Sequence, residues 1–493
     1  MSPARASLAW IGLAWMGLAW IGLAAAGLAL AGCAVGPNYT PPKIPAPAGG
    51  PFISTSPSLA EQPLPDDWWR LYDDPVLDRL VREALVENQD LRVAAANLDN
   101  AEALVSQARA GLFPSTQANA SATYGRSSTT GVQRATTRPQ ANWFYSTGFT
   151  AAYQVDLFGQ VRRSIEAARA NSEAEQAAED AVRVTVAAET AAAYANVCGY
   201  AEQVAVAKHS LQVVQQTYDI TVRQRDAGAL SDFDVARQAT LLEQARAVVP
   251  TLEGQRRSAL FELTALLGKT PAEAPADAAA CQTPPKVDRP LPVGDGTALL
   301  KRRPDVREAD RQLASATAKI GVAVSGLFPS VTLGGAISGG GATPSRMFNY
   351  NAVSYSLGPL VTWQFPNTLV ALAQIREARA TASGALASFD STVVQALKET
   401  EQALTTYAAE LQRHTALSAA RDQANEAFRL AQVQYQAGMA SYLDLLTAET
   451  TLVTADQALA ASDQQISSDQ VAVFQALGGG WENAPPVTAP KVG

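Results

Sequence analysis

The sequence predicts a membrane α+β chain made of two internal copies, each supplying long helices and two strands, with the strands completed into a barrel only by further copies of the chain. Three observations predict this. Landmarks recur at a nearly fixed offset: GLFPS at 111–115 and 326–330, DAGALSDFDV at 226–235 and QAGMASYLDL at 436–445, EAARA and REARA ending at Ala170 and Ala380, LTALLG and VFQALG ending at Gly268 and Gly478, with offsets of 215, 210, 210 and 210 residues. A fixed period in an ordered set of landmarks marks duplicated structural units. The stretch 160–226 has no proline and is dominated by Glu, Ala, Gln and Arg, all good helix formers. Four shorter runs alternate apolar and polar residues with the period of two that a strand requires.

The chain opens on LAWIGLAWMGLAWIGLAAAGLALAGCAVG, residues 8–36, near-copies of a Leu-Ala-x-x-Gly unit ending at a cysteine. From Leu8 to Gly32 there is no charge, which is long enough for a span, since about 20 apolar residues cross a bilayer core. Arg5 supplies a positive start, and small residues lead up to Cys33 as they do at a cleavage site. The next segment, AVGPNYTPPKIPAPAGGP, is a Pro-rich extended tether and no stop-transfer segment. Residues 1–32 are read as a signal peptide and 33–73 as an anchored, extended N-terminal segment. A retained helix ending at a free thiol is the alternative.

A length of 493 residues exceeds one ordinary core. The net charge is −8, or −9 without residues 1–32, where Arg5 is the only charge; there is no basic footprint for nucleic acid. Setting Cys33 aside leaves Cys198 and Cys281. An even pair in an oxidising compartment invites a disulfide. Two unpaired buried thiols are the alternative, because a sequence does not show how closely their Cα atoms approach.

The first copy, 74–268, predicts helices at 74–111, 160–226 and 231–267 with strands at about 114–125 and 143–158. The second, 297–478, predicts helices at 297–326, 369–436 and 441–477 with strands at about 330–340 and 352–366. A linker, 269–296, joins them, and 479–493 is a tail. At ~1.5 Å per residue the two longest helices reach roughly 100 Å, and the shorter ones about half that, so two short helices stacked end to end match one long one. Leu397, Leu404 and Leu411 sit seven apart, a coiled-coil spacing. Pro250 predicts a kink or break in its helix.

In WFYSTGFTAAYQVDLF the odd positions from Trp143 to Leu157 are mostly apolar and the even positions mostly polar or small. Val353, Tyr355, Leu357, Pro359, Val361, Trp363 and Phe365 alternate in the same way. Aromatics near the ends of runs of about ten residues fit transmembrane strands; an amphipathic sheet on a soluble core is the other reading. Polar, turn-rich segments, STTGVQRATTRPQ and ATPSRMFN, separate the members of each pair as exposed loops. Four strands cannot close a barrel, and lipid tolerates no open sheet edge, so at least two chains must share one.

Within the helical turns, Gly228 and Gly438 permit the left-handed conformation that ends a helix, and Ser231 and Ser441 are good N-caps. Nothing points to catalysis. His209 and His414 are not at equivalent repeat positions, so no metal site is expected. The Gly-Lys-Thr at 268–270 lacks the first glycine of a phosphate-binding loop, because Leu263 stands there. No nucleophile–base constellation and no cofactor signature is present.

The order of Leu30-Ala31-Gly32-Cys33, VGPNYTPP, WWRLYDDPVLDRLV, ALVENQDL, LLKRRPDVREADRQLASATAKIGVAVSGLFPSVTL and FQALGGGW resembles the outer-membrane factors of tripartite efflux pumps. The likeness is greatest to the lipoprotein branch serving proton-driven (RND-type) multidrug pumps, and it covers essentially the whole mature chain. Asn38 stands where aspartate is commoner. The resemblance implies lipidation at Cys33 with diacylglycerol and palmitate, and Ala34 beside it implies sorting to the outer membrane. It also implies a homotrimer with a twelve-stranded barrel and a periplasmic tunnel of twelve helices, a periplasmic adaptor (membrane fusion) protein and an inner-membrane pump. By position, the adaptor would dock on Ala227, Gly228, Ala229, Ala437, Gly438 and Met439. Asp234, Tyr435 and Asp444 match positions that close or narrow the tunnel aperture in the family, and threefold symmetry would turn each aspartate into a ring favouring cations. Ala440 stands where some relatives carry a locking arginine. The expected function is passive, gated export of drugs or other small molecules; a lipid-anchored coiled-coil scaffold or adhesin without a pore is the alternative.

Overall fold

Four antiparallel strands form one sheet in chain order: β1 (Ser115–Gly125), β2 (Asn142–Val155), β3 (Ser330–Gly341) and β4 (Val353–Thr362). The structure is a computed structural model that describes residues 34–44, 46–126 and 140–490; Cys33 and most of the expected 128–140 loop lie outside that set. The register explains the alternation read from the sequence. Ala118, Phe149, Ile337 and Tyr355 face one another across the four strands, as do Tyr153, Leu333 and Pro359, and Val155, Val331 and Val361. Successive side chains leave opposite faces of a pleat, so these apolar residues share one face. The other face carries Ser121 beside Ser146, Oγ to Oγ 2.8 Å, and Ser338 beside Ser354 at 2.9 Å. Phe144 and Leu360 depart from the pattern, because their partners Thr123 and Thr332 put them on the polar face. Tyr355 and Leu357 are 85% and 88% exposed, so the apolar face of β4 is uncovered. The outer edges of β1 and β4 have no partner strand among the described residues.

The helices follow the expected order with three differences. The stretch 74–111 is two helices, α1 (Pro75–Glu87) and α2 (Gln89–Ala110). Asn88 takes an extended conformation between them, and its side-chain oxygen accepts from the Asp90 and Leu91 amides at 2.9 and 3.2 Å, capping α2. After α3 (Gln160–Asp226) and α4 (Asp232–Leu266), the region 297–326 is likewise split, into α5 (Gly296–Arg302) and α6 (Pro304–Ser325). Proline suits the first turn of a helix, where its missing N–H costs nothing. Pro250, in contrast, leaves α4 unbroken. The chain continues through α7 (Leu369–Gln436) to α8 (Tyr442–Ala476). Strand β2 stops at Val155 because Asp156 turns the chain, accepting the Val161 and Arg162 amides at 3.0 Å each.

Two compact units are present. One comprises 100–173 and 310–387 with the N-terminal stretch to Pro41, and the other comprises 42–99, 174–309 and 388 onward. In the first, Arg163 holds the N-terminal segment, donating to the Val35 and Gly36 carbonyls at 3.2 and 3.3 Å and to the Asn38 side chain at 2.7 Å. In the second, Trp68 is fully buried and stacks on Phe474 with ring centres 4.8 Å apart, in a core shared with Leu77, Leu80, Leu263 and Leu404. Arg303, Pro304 and Asp305 belong here. Arg303 donates to the Ala476 carbonyl at the end of α8, to both Asp305 oxygens and to Glu399, so one buried guanidinium ties the start of α6 to α7 and α8. Cys198 on α3 is joined to Cys281 in the 269–296 segment by a disulfide, with Cα atoms 5.0 Å apart.

Candidate functional site

The two hairpin ends, α3–α4 and α7–α8, are built from the same backbone parts. Gly228 and Gly438 have φ of +79° and +74°, and nothing lies within 4 Å of where a Cβ would sit. Glycine is required there by conformation and not by crowding. The Ala229 amide donates to the Gln224 carbonyl at 2.8 Å and the Gly228 amide to Arg225 at 2.9 Å; in the second copy Met439 donates to Gln434 at 2.9 Å and Gly438 to Tyr435 at 3.0 Å. This pair of bonds is the Schellman ending, which satisfies the last carbonyls of each long helix.

The returning helices begin on capping boxes. Ser231 Oγ accepts from the Asp234 amide at 3.3 Å, while Asp234 Oδ2 accepts from the Ser231 amide at 3.1 Å and its hydroxyl at 2.7 Å. Ser441 and Asp444 repeat this at 3.2, 2.9 and 2.7 Å. These bonds hold both carboxyls below the usual aspartate range. A structural duty, reciprocal capping of the first turn, therefore already occupies both aspartates singled out from the sequence.

Side chains at the hairpin ends differ from copy to copy. Positions 225 and 232 carry an ion pair, Arg225 to Asp232 at 3.0 Å. Their counterparts 210 residues on are Tyr435 and Tyr442, whose rings meet edge to face at 6.0 Å. Tyr435 donates to Gln224 Oε1 at 2.6 Å. Tyr442 donates to Gln238 Oε1 at 2.8 Å, and Thr221 Oγ1 lies 3.3 Å from its hydroxyl. The Gln238 amide reaches Glu449 Oε2 at 3.1 Å, and Thr217 Oγ1 lies 2.7 Å from Glu449 Oε1. Burial raises both tyrosines above their ordinary range. The structure thus adds Gln224, Tyr442, Gln238, Thr217 and Glu449 to the residues the sequence reading named. One signal was legible: Tyr442, Leu446, Glu449 and Val453 follow a four-three-four spacing, with a carboxylate where a core residue belongs.

Of the expected docking residues, all six lie in the two turns, and Met439 is 74% exposed. Phe233, beside them, is 67% exposed. No grouping of His, Cys, Asp and Glu suited to a metal occurs among the described residues, and no described helix is long and apolar enough to cross a membrane.

A family model for outer membrane efflux proteins matches residues 80–269 and 297–479. The chain therefore belongs to the outer membrane efflux protein family, bacterial outer-membrane transport proteins that are not enzymes. The probable efflux pump outer membrane protein TtgC of Pseudomonas putida is 30% identical over 465 residues, covering 90% of this chain and 92% of that protein. Nodulation protein T of Rhizobium leguminosarum bv. trifolii is 30% identical over 420 residues, covering 84% and 87%. The solved structure of the outer-membrane channel OprN matches with a TM-score of 0.84 at 33% identity, covering 91% of this chain and 100% of that one.

Proposed function

We propose that three copies of this chain share one twelve-stranded barrel and form the gated outer-membrane duct of a tripartite efflux system. Small molecules leave through it after an inner-membrane RND-type pump and a periplasmic adaptor deliver them. The observation that carries this reading is the sheet: four strands, an uncovered apolar face and two unpartnered edges among the described residues. In lipid such edges must be paired, and the smallest membrane barrels need about eight strands. Likeness to an efflux pump component and to an outer-membrane channel supports export. In this reading Cys33 carries the lipid anchor, the Gly228 and Gly438 turns with Met439 receive the adaptor, and Tyr435, Asp234 and Asp444 narrow the aperture.

Planar-bilayer conductance of the purified protein, wild type beside an Asp234→Ala/Tyr435→Phe double variant, tests the proposal. A small wild-type conductance that rises in the double variant is expected. A large conductance in both keeps the duct and moves the closure elsewhere. No conductance from protein that still migrates as a heat-modifiable oligomer overturns the duct in favour of an anchored scaffold.

A further inference from the structure

Glu449 is 0% exposed and has no cationic partner among the described residues. From α3 come the Thr217 and Thr221 hydroxyls and the Val214 carbonyl; from α4, the Gln238 amide; from α8 itself, Tyr442; and from α7, Tyr435 against the Tyr442 ring. Of the charged groups at the tips, Asp234 is bound in its capping box, Arg225 pairs with Asp226 and Asp232, and Arg237 lies over the Phe233 ring at 5.5 Å. None of these pairs with Glu449. A buried ionised carboxylate without a cation is expensive, and such a group normally gives up its charge.

The hydrogen bonds around Glu449 suit the neutral form. Thr217 Oγ1 lies 2.7 Å from Glu449 Oε1 and 3.2 Å from the Val213 carbonyl, but a hydroxyl has one proton to donate. If Glu449 is protonated on Oε1, it donates to Thr217, Thr217 donates to Val213, and Gln238 donates to Oε2. Every group is then satisfied. If Glu449 is ionised, Thr217 must abandon Val213, and the negative charge rests on one amide and one hydroxyl. Burial also pushes the carboxyl above the ordinary glutamate range, against the hydrogen bonds from Thr217 and Gln238. The counterpart of Glu449 in the first copy, 210 residues earlier, is Ala239, which cannot ionise, so this position carries a carboxyl in the second copy only.

We propose that Glu449 is a proton-operated latch: neutral in the closed tips, where it bridges α8 to α3 and α4, and ionised when the hairpins part and water reaches it. This rests on reading the hairpin ends as the closable end of the duct. Closed tips hold the Glu449 proton more tightly than open ones. Their extra stability is therefore fully present below the ordinary glutamate value of about 4.3 and is lost as pH rises through the higher, closed-state value. Within that window the closed-to-open ratio falls by up to about tenfold per pH unit for each chain. Glu449 acts here as a positioning residue, through the helices it joins.

Hydrogen exchange of the full-length protein in detergent, between about pH 5 and about pH 8, reads the latch without requiring a pore. After correction for intrinsic exchange, peptides covering 213–242 and 435–455 are expected to lose protection as pH rises. Glu449→Gln reproduces the neutral side chain, its amide donating to Thr217 and its oxygen accepting from Gln238, and is expected to stay protected at both ends of the range. Thr217→Val removes the acceptor of the Glu449 proton and should weaken protection most at the acid end. The proposal fails if wild-type protection is flat across this range, or if Glu449→Gln shows the same pH dependence as wild type. Conductance measured on the same samples separates the two readings. A pH-dependent latch with no conductance sinks the duct alone, whereas conductance with pH-independent protection sinks the latch alone.

Discussion

Tyr435 donates its hydroxyl to the Gln224 side chain at 2.6 Å, joining the last turn of α7 to the last turn of α3. Its counterpart Arg225 instead bonds Asp226 and Asp232 within its own hairpin. Only the second copy therefore reaches across at this step. Tyr435→Phe removes one hydrogen bond, worth about 0.5–1.5 kcal/mol net, or roughly a two- to twelvefold shift toward open tips per chain. Single-channel recording should show a higher open probability with oligomer migration unchanged.

Asp234 has two separable duties, a cap and a charge. Asp234→Asn keeps an oxygen that can accept from Ser231 and removes the charge, whereas Asp234→Ala removes both. If the charge shapes the aperture, both variants lower cation preference in a bilayer. Loss of amide protection in the first turn of α4 is expected from Asp234→Ala alone.

The Cys198–Cys281 disulfide spans 83 residues of sequence. In the chain-entropy limit a loop of that size contributes about 4.5 kcal/mol. A Cys198→Ser/Cys281→Ser variant should melt at a lower temperature than wild type, and reductant should lower the wild-type melt while leaving the variant unmoved.

Trp68→Ala opens a cavity against Phe474 in the core of the second unit and should cost about 3–5 kcal/mol. Thermal unfolding followed by circular dichroism checks this. The equivalent change at the exposed Trp363 should leave the helical melt almost unmoved.

Much of this architecture is legible in the primary structure because it rests on local rules. Gly228 and Gly438 mark helix ends, Ser231 and Ser441 mark starts, and the alternation from Trp143 to Val155 assigns faces that the register then extends across four strands. Helix breaks were less legible. Asn88 interrupts a run whose apolar spacing continues on either side, and Arg303, held out of the helical region by the proline after it, donates to Ala476, a partner 173 residues away. The contacts of Glu449 are of the same kind, since Thr217 and Gln238 are more than two hundred residues distant. Asp234 and Asp444 complete capping boxes, a local duty that the Ser-x-x-Asp spacing already announces.

The edges of β1 and β4, which have no partner strand among the described residues, also have a genetic consequence. In the proposed shared barrel, each chain's membrane stability is supplied partly by its neighbours, so the unit on which selection acts is the assembly. A substitution that spoils an edge, such as proline at a hydrogen-bonding position of β4, would not be masked by a healthy second allele. Mixed assemblies would inherit the defect, and the mutation would behave as dominant in a cell carrying both gene copies.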